Sequence, residues 1–136
     1  MKSLILCVML SGVGLLCQRG ALAADAVPQV QNDLPYMTGG IGSDETQAMQ
    51  DARKNYNLLM TFAIKSGEYQ ADVDVTLVDH GGKALATFKA VGPLFYVKVV
   101  PGQYRIQATA RGKQLSQSAA VTAGATRDVR FYWDAQ

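Results

Sequence analysis

His80 is the only histidine in the chain, and it stands in Asp79-His80-Gly81-Gly82, residue types that suit a tight turn between two strands. Serine catalysis needs a base. With one imidazole committed to a turn, and with neither a Gly-x-Ser-x-Gly elbow nor a Ser-x-x-Lys motif, the chain offers none. His80 therefore reads as an exposed turn residue with no proton-transfer role. Zinc, copper and iron sites built on His or Cys need three or four such donors. The two cysteines, Cys7 and Cys17, lie at the extreme N-terminus, so those donors are missing. Calcium needs only oxygens, and Asp72, Asp74 and Asp79 could converge, but they lack calcium-loop spacing, and alternation puts Asp72 and Asp74 on a solvated strand face. Nothing sets two carboxylates across a cleft for glycoside hydrolysis. The sequence predicts no catalytic residue, no metal ligand and no cofactor.

Binding chemistry has more candidates. Gly39-Gly40-Ile41-Gly42-Ser43 precedes a predicted helix, where free backbone amides can cradle an anion. The competing use of Gly39, Gly40 and Gly42 is to let the chain turn sharply against its neighbours, with Ser43 or Asp44 capping the helix amides. Exposed tyrosines can stack on sugar rings; among Tyr36, Tyr69, Tyr96, Tyr132 and Trp133, the alternation of inward and outward positions leaves Tyr36 and Tyr132 as the expected exposed pair. Arg105, Gln107, Thr109 and Arg111 share the outward face of one strand and could meet a protein partner.

The elements that would position these residues emerge from periodicity. Residues 24–42 contain Pro28, Pro35 and the Gly39-Gly40 pair, which predicts an extended, irregular and partly disordered segment. Asp44 to Gln47 has capping-box spacing, and Ala48, Met49, Ala52 and Tyr56 then fall on one face of a short helix. This helix is expected to cover an open end or edge of the strands after it. From Leu58 the period becomes two, with Leu58, Met60, Phe62 and Ile64 on one face. Val73, Val75 and Leu77 alternate with Asp72, Asp74 and Thr76, and the chain returns from Ala84 to Ala90. Leu94 to Val100 forms a further strand. Tyr104, Ile106, Ala108 and Ala110 point inward on the next, which turns at Gly112-Lys113 into a strand holding Leu115, Ala119 and Val121. Val129, Phe131 and Trp133 form the inner face of the last. Seven short strands at this spacing predict an all-β sandwich preceded by one short α-helix.

Met1 to Ala23 has a charged start, an apolar run from Leu4 to Leu16 and Ala21-Leu22-Ala23, the small-x-small pattern of a signal peptide cleaved after Ala23. The apolar run is too short to span a bilayer as a helix. Cleavage would remove both cysteines and place the chain in the periplasm or outside the cell. The full chain has 13 Lys and Arg against 11 Asp and Glu. Lys2 and Arg19 lie in the leader, which leaves 11 against 11. A balanced surface gives no field to gather phosphate backbones or anionic membrane, so nucleic acid is not an expected partner. Residues 43–136 are expected to hold the helix and the sandwich as one domain.

From Pro93 to Trp133 the chain resembles the carboxypeptidase regulatory-like family. The resemblance rests on Val100-Pro101-Gly102-Gln103-Tyr104, on Arg111-Gly112 at a strand end, on Val121-Thr122-Ala123-Gly124 and on Val129-Arg130-Phe131. It implies a transthyretin-like (prealbumin-like, Ig-like) sandwich, in a family whose domains recur as non-catalytic appendages of peptidases and as modules of exported proteins. Transthyretin-like hydrolases of purine degradation resemble this fold too, but rely on several histidines and a C-terminal tetrapeptide that this chain lacks. The expected function is a non-catalytic binding or structural module of the bacterial cell envelope, engaging a protein. A carbohydrate or peptidoglycan binder is the alternative, and an enzyme of unrecognised type the third.

Overall fold

A computed structural model describes residues 26–134. The leader, its cysteines, and residues 24 and 25 of the segment expected to be disordered lie outside the described residues. Two sheets stack face to face, and all seven expected strands are present. They are β3 (Leu58–Ile64), β4 (Val73–Asp79), β5 (Ala84–Val91), β6 (Leu94–Val97), β7 (Gly102–Ala110), β8 (Lys113–Val121) and β9 (Arg127–Trp133). Two further strands, β1 (Gln29–Gln31) and β2 (Leu34–Gly39), precede the helix α1 (Gly42–Ala52). One sheet has the order β1-β2-β6-β3-β9 and the other β5-β4-β7-β8.

The inward residues of the alternating strands meet between the sheets. Phe62, Phe88, Phe95, Phe131 and Trp133 are each at most 1 % exposed. Ring centroids 4.8 Å apart join Phe88 to Phe95, and 5.5 Å joins Phe62 to Phe131. Trp133 adds a polar anchor, because its indole N–H donates to the Lys113 carbonyl at 2.9 Å. The sandwich thus buries large apolar area and still satisfies the one polar atom of its largest ring.

Three sequence expectations change. The segment before residue 42 is not irregular: β1 and β2 form a hairpin, and β2 pairs antiparallel with β6 through Tyr36↔Val97 to Gly39↔Leu94. The sandwich therefore begins before residue 43, and the helix lies between β2 and β3 rather than ahead of the sheets. Pro35 is accommodated because it sits beside the turn, near the strand start, where a missing N–H costs little. Secondly, α1 covers the outer face of the five-stranded sheet instead of an end or edge. Met49, 0 % exposed, packs there with Met37, Leu59, Leu94 and Tyr96. This second small core explains why Leu59 is buried although it alternates with Met60: both faces of β3 are covered.

Thirdly, the helix cap is Ile41, not Ser43 or Asp44, and it receives no side-chain cap of its own. The expected Asp44–Gln47 capping box is replaced by a bond from the Ile41 N–H to Glu45 Oε1 at 3.0 Å. Gly39 and Gly40 serve close packing, whereas Gly42 serves a positive φ of 85°. A Cβ on Gly92 would lie 2.8 Å from the Gly39 carbonyl oxygen, and one on Gly39 would lie 2.8 Å from Ala26 Cβ.

The Val100-Pro101-Gly102-Gln103-Tyr104 run has a structural cause. Tyr104 is buried, and its hydroxyl donates back to the Val100 carbonyl at 2.5 Å, which holds the loop entering β7. Asn57 clamps the other end of that loop by imitating a strand. Its Nδ2 donates to Val99 O at 2.6 Å and its Oδ1 accepts from Val99 N at 2.9 Å.

Candidate functional site

The functional surface is built by a turn. Ala110 and Lys113 flank Arg111-Gly112, whose φ values of 53° and 75° are both positive. Two positive φ angles define the hairpin turn whose twist matches its strands. The turn is thus one residue earlier than the expected Gly112-Lys113, and it sets the register. In such a hairpin the flanking residues exchange both backbone hydrogen bonds, and the bonded pairs then alternate along the ladder. Leu115, Gln117 and Ala119 consequently bond to β7. Gln114, Ser116, Ser118 and Ala120 turn their N–H and C=O groups away from it, along the outer side of a nine-residue strand.

These four residues are exposed, and none carries a charge. Long edge strands are ordinarily blunted by charge, proline, bulges, brevity or a covering element. Every other sheet edge has such a device. β1 is three residues long. The β5 edge is capped by the β1–β2 turn, where Gln31 Nε2 donates to Thr87 O and Asn32 Nδ2 to Leu85 O at 3.1 Å. β5 is also interrupted by two register shifts. On β9, Gln117 Nε2 reaches across from β8 to cap the Arg130 carbonyl. Among the described residues nothing covers the β8 edge between Gln114 and Ala120.

Beside this edge lies the outer face of the four-stranded sheet, a mostly polar lattice. Cross-strand partners there are Thr87, Thr76, Gln107 and Ser116 in one row, and Val78, Arg105 and Ser118 in the next. Thr76 and Thr87 hydroxyls are bonded at 3.2 Å. Arg105 and Gln107 stand on this face as expected, and Arg105 is exposed. Arg111 does not. It occupies the turn, and its guanidinium donates to Gln70 Oε1 at 3.5 Å.

The structure separates the remaining candidates. Tyr36, expected to be exposed, is turned inward by β2, where its ring meets Phe88 edge-on at 4.9 Å and its hydroxyl donates to Gln29 Oε1 at 3.1 Å. Tyr132 is exposed at 47 %, on the opposite face of the same sheet. The aromatic that accompanies it is Tyr69, 55 % exposed. Both are direct cross-strand partners of Ala63, Tyr69 through an isolated bridge and Tyr132 along β9. Sequence reasoning missed this pairing because Tyr69 lies in a loop with no period to orient it.

At the start of α1 the Ile41 amide binds the Glu45 carboxylate, which sets a negative charge beside Gly39, Gly40 and Gly42 where an anion would have to approach. Asp74 and Asp79 each serve their own hairpin: Asp74 accepts from Ala90 N at 2.9 Å, while Asp79 accepts from Gly81 N and Lys83 N. Asp72 is exposed at a positive φ of 58°. His80 is exposed in the β4–β5 turn. Among the described residues no three His, Cys, Asp or Glu side chains are placed to hold a metal ion, and no helix is long and apolar enough to cross a membrane.

Electrostatics adds little field to these surfaces. The Arg53 guanidinium beside Asp128, at 3.2 Å, has its pKa raised chiefly by that hydrogen bond. Burial raises the Tyr56, Tyr96 and Tyr104 phenols, so they stay neutral.

No protein-family model matches the chain, and no curated protein is similar to it in sequence.

Geometry dictates what these surfaces can do. An open, uncharged edge can accept a strand, and an aromatic pair can stack on rings.

Proposed function

We propose that the protein is a non-catalytic binding module of the bacterial cell envelope that takes a protein partner by strand addition along β8. The observation that carries this reading is the unequal treatment of the edges. β1 is short, β5 is capped at two carbonyls and β9 at one, whereas among the described residues Gln114, Ser116, Ser118 and Ala120 leave their outward backbone groups unanswered. Strand addition draws affinity from main-chain hydrogen bonds and specificity from alternate side chains. Arg105, one strand in from that edge and paired with Ser118, gives the lattice a cation with which to select the added strand. The leader pattern and the resemblance to carboxypeptidase regulatory-like domains support an exported protein of this kind, periplasmic or secreted.

The test is affinity capture from envelope extract with a proline substitution on the open edge. Ser118→Pro removes an N–H that β7 does not use, so the sandwich keeps its ladder. Wild type is expected to retain a defined protein and the variant to lose it, at an unchanged melting temperature. Retention by Ser118→Pro would remove β8 from the account.

Carbohydrate or peptidoglycan binding is the second reading, favoured by Tyr69 and Tyr132 flanking Ala63. Two strand spacings separate them, about 9–10 Å, a distance over which two exposed rings can hold successive sugars. Glycan retained without protein, and lost on Tyr69→Ala or Tyr132→Ala, would select it.

A further inference from the structure

Beyond the strand edge, a cleft opens at one end of the sandwich, with a volume of about 650 Å³. Its walls are apolar: Leu34 and Pro35 from β2, Leu85 from β5, and Val99, Val100 and Pro101 from the loop between β6 and β7. Val100 is 74 % exposed at the mouth and extends the apolar wall to the surface.

The uncharged polar side chains in the walls are already committed. Asn57 bonds through both of its side-chain polar atoms to Val99, and the Tyr104 hydroxyl bonds to Val100 O. A sugar or other polar ligand would therefore find few free partners inside. The cations lie at one lip. Lys98 lines the cleft and also a polar shelf that Lys54 shares, the two depressions meeting at Asn57, Lys98 and Gly124. Both lysines are exposed, and neither forms a salt bridge among the described residues. Asp33, on the β1–β2 turn, is the carboxylate on the cleft lining.

We infer that this end of the sandwich binds a free single-chain anionic amphiphile, a fatty carboxylate, with its alkyl chain against the Leu34–Leu85–Val100 walls and its head group between Lys54 and Lys98. An apolar trough with a cationic lip on one side fits a ligand that is apolar along its length and negative at one end. A neutral apolar ligand would make no use of the lysines, and a cationic one would be repelled by them.

The probe is sodium dodecanoate below its micelle concentration, titrated calorimetrically into the purified protein at neutral pH, beside dodecyltrimethylammonium with the same chain and the opposite charge. Dodecanoate is expected to bind at one site, about tenfold tighter than the cation, the order of effect two surface charges can supply. Lys54→Glu/Lys98→Glu, both at exposed positions that should leave the melting temperature unchanged, is expected to reverse that preference. Val100→Ser is expected to weaken both probes together. Equal affinity for the two amphiphiles, or dodecanoate binding unchanged in the double variant, would overturn the inference. So would sedimentation of the protein with phosphatidylglycerol vesicles through the same lysines, which would make the occupant a membrane surface instead of a free amphiphile.

Discussion

Trp133→Ala is expected to lower the unfolding free energy by about 3–5 kcal/mol, the largest effect expected of any single truncation. Trp133 is 1 % exposed and packs against Phe62 and Phe131. Truncation leaves a cavity in a layer where β3 and β9 run parallel, and it strips the Lys113 carbonyl of its indole donor. The loss therefore combines apolar burial, an unfilled void and a tie between β8 and β9. Urea denaturation followed by circular dichroism measures it. A change below about 1 kcal/mol would mean that the site collapses around the missing ring or that the ring is not enclosed.

Met49→Ala is expected to cost about 2–5 kcal/mol, from a different core. Met49 is the sole fully buried residue of α1, and it plugs the space between Met37, Leu59, Leu94 and Tyr96. The helix is short, carries no side-chain N-cap and has no basic residue in its last turn. Its stability thus comes from docking more than from its own propensity. Truncation should loosen the helix from the outer face while the inter-sheet core persists. The expected signature is faster amide exchange through Gln47–Asp51 than through β4 or β7, measured by exchange in the folded protein. Equal acceleration of helix and strands would indicate one cooperative unit instead of two cores.

The strands with a dry face and a wet face were legible because alternation dictates which side is buried. Val73-Asp74-Val75-Thr76-Leu77 and Tyr104-Arg105-Ile106-Gln107-Ala108 both fold as written. β1 and β2 were not legible, since Pro35 and Gly39-Gly40 are the residues that ordinarily break strands. What admits them is tertiary: the hairpin lies beside β6, and Gly39 meets Gly92 so closely that a side chain on Gly92 would strike its carbonyl. The apolar face of α1 was visible at Met49, Ala48 and Ala52, but its docking place was not. Leu59 and Tyr96 signal a covered outer face only once β3 and β6 are known to be neighbours.

The candidate surfaces divide in the same way. Arg105 and Gln107 could be placed from their spacing, because they lie on a regular strand. Arg111 could not, since a shift of one residue in the turn moves it off the face. Tyr36 faces inward for a related reason, belonging to a strand whose period is masked by Pro35. The open β8 edge was beyond reach of the sequence. Openness depends on what Gln31, Asn32 and Gln117 do at other edges, and those side chains carry no local signal of it.

Amide hydrogen exchange by NMR, residue by residue along β8, tests the central claim most directly, first on the isolated protein and then with the captured partner bound. In the isolated protein Leu115, Gln117 and Ala119 should be protected, while Gln114, Ser116, Ser118 and Ala120 exchange freely, because only the first set is bonded to β7. With the partner bound, the second set should become protected in the same alternating pattern. Alternate amides already protected in the isolated protein, or left exchanging in the complex, would contradict strand addition at this edge.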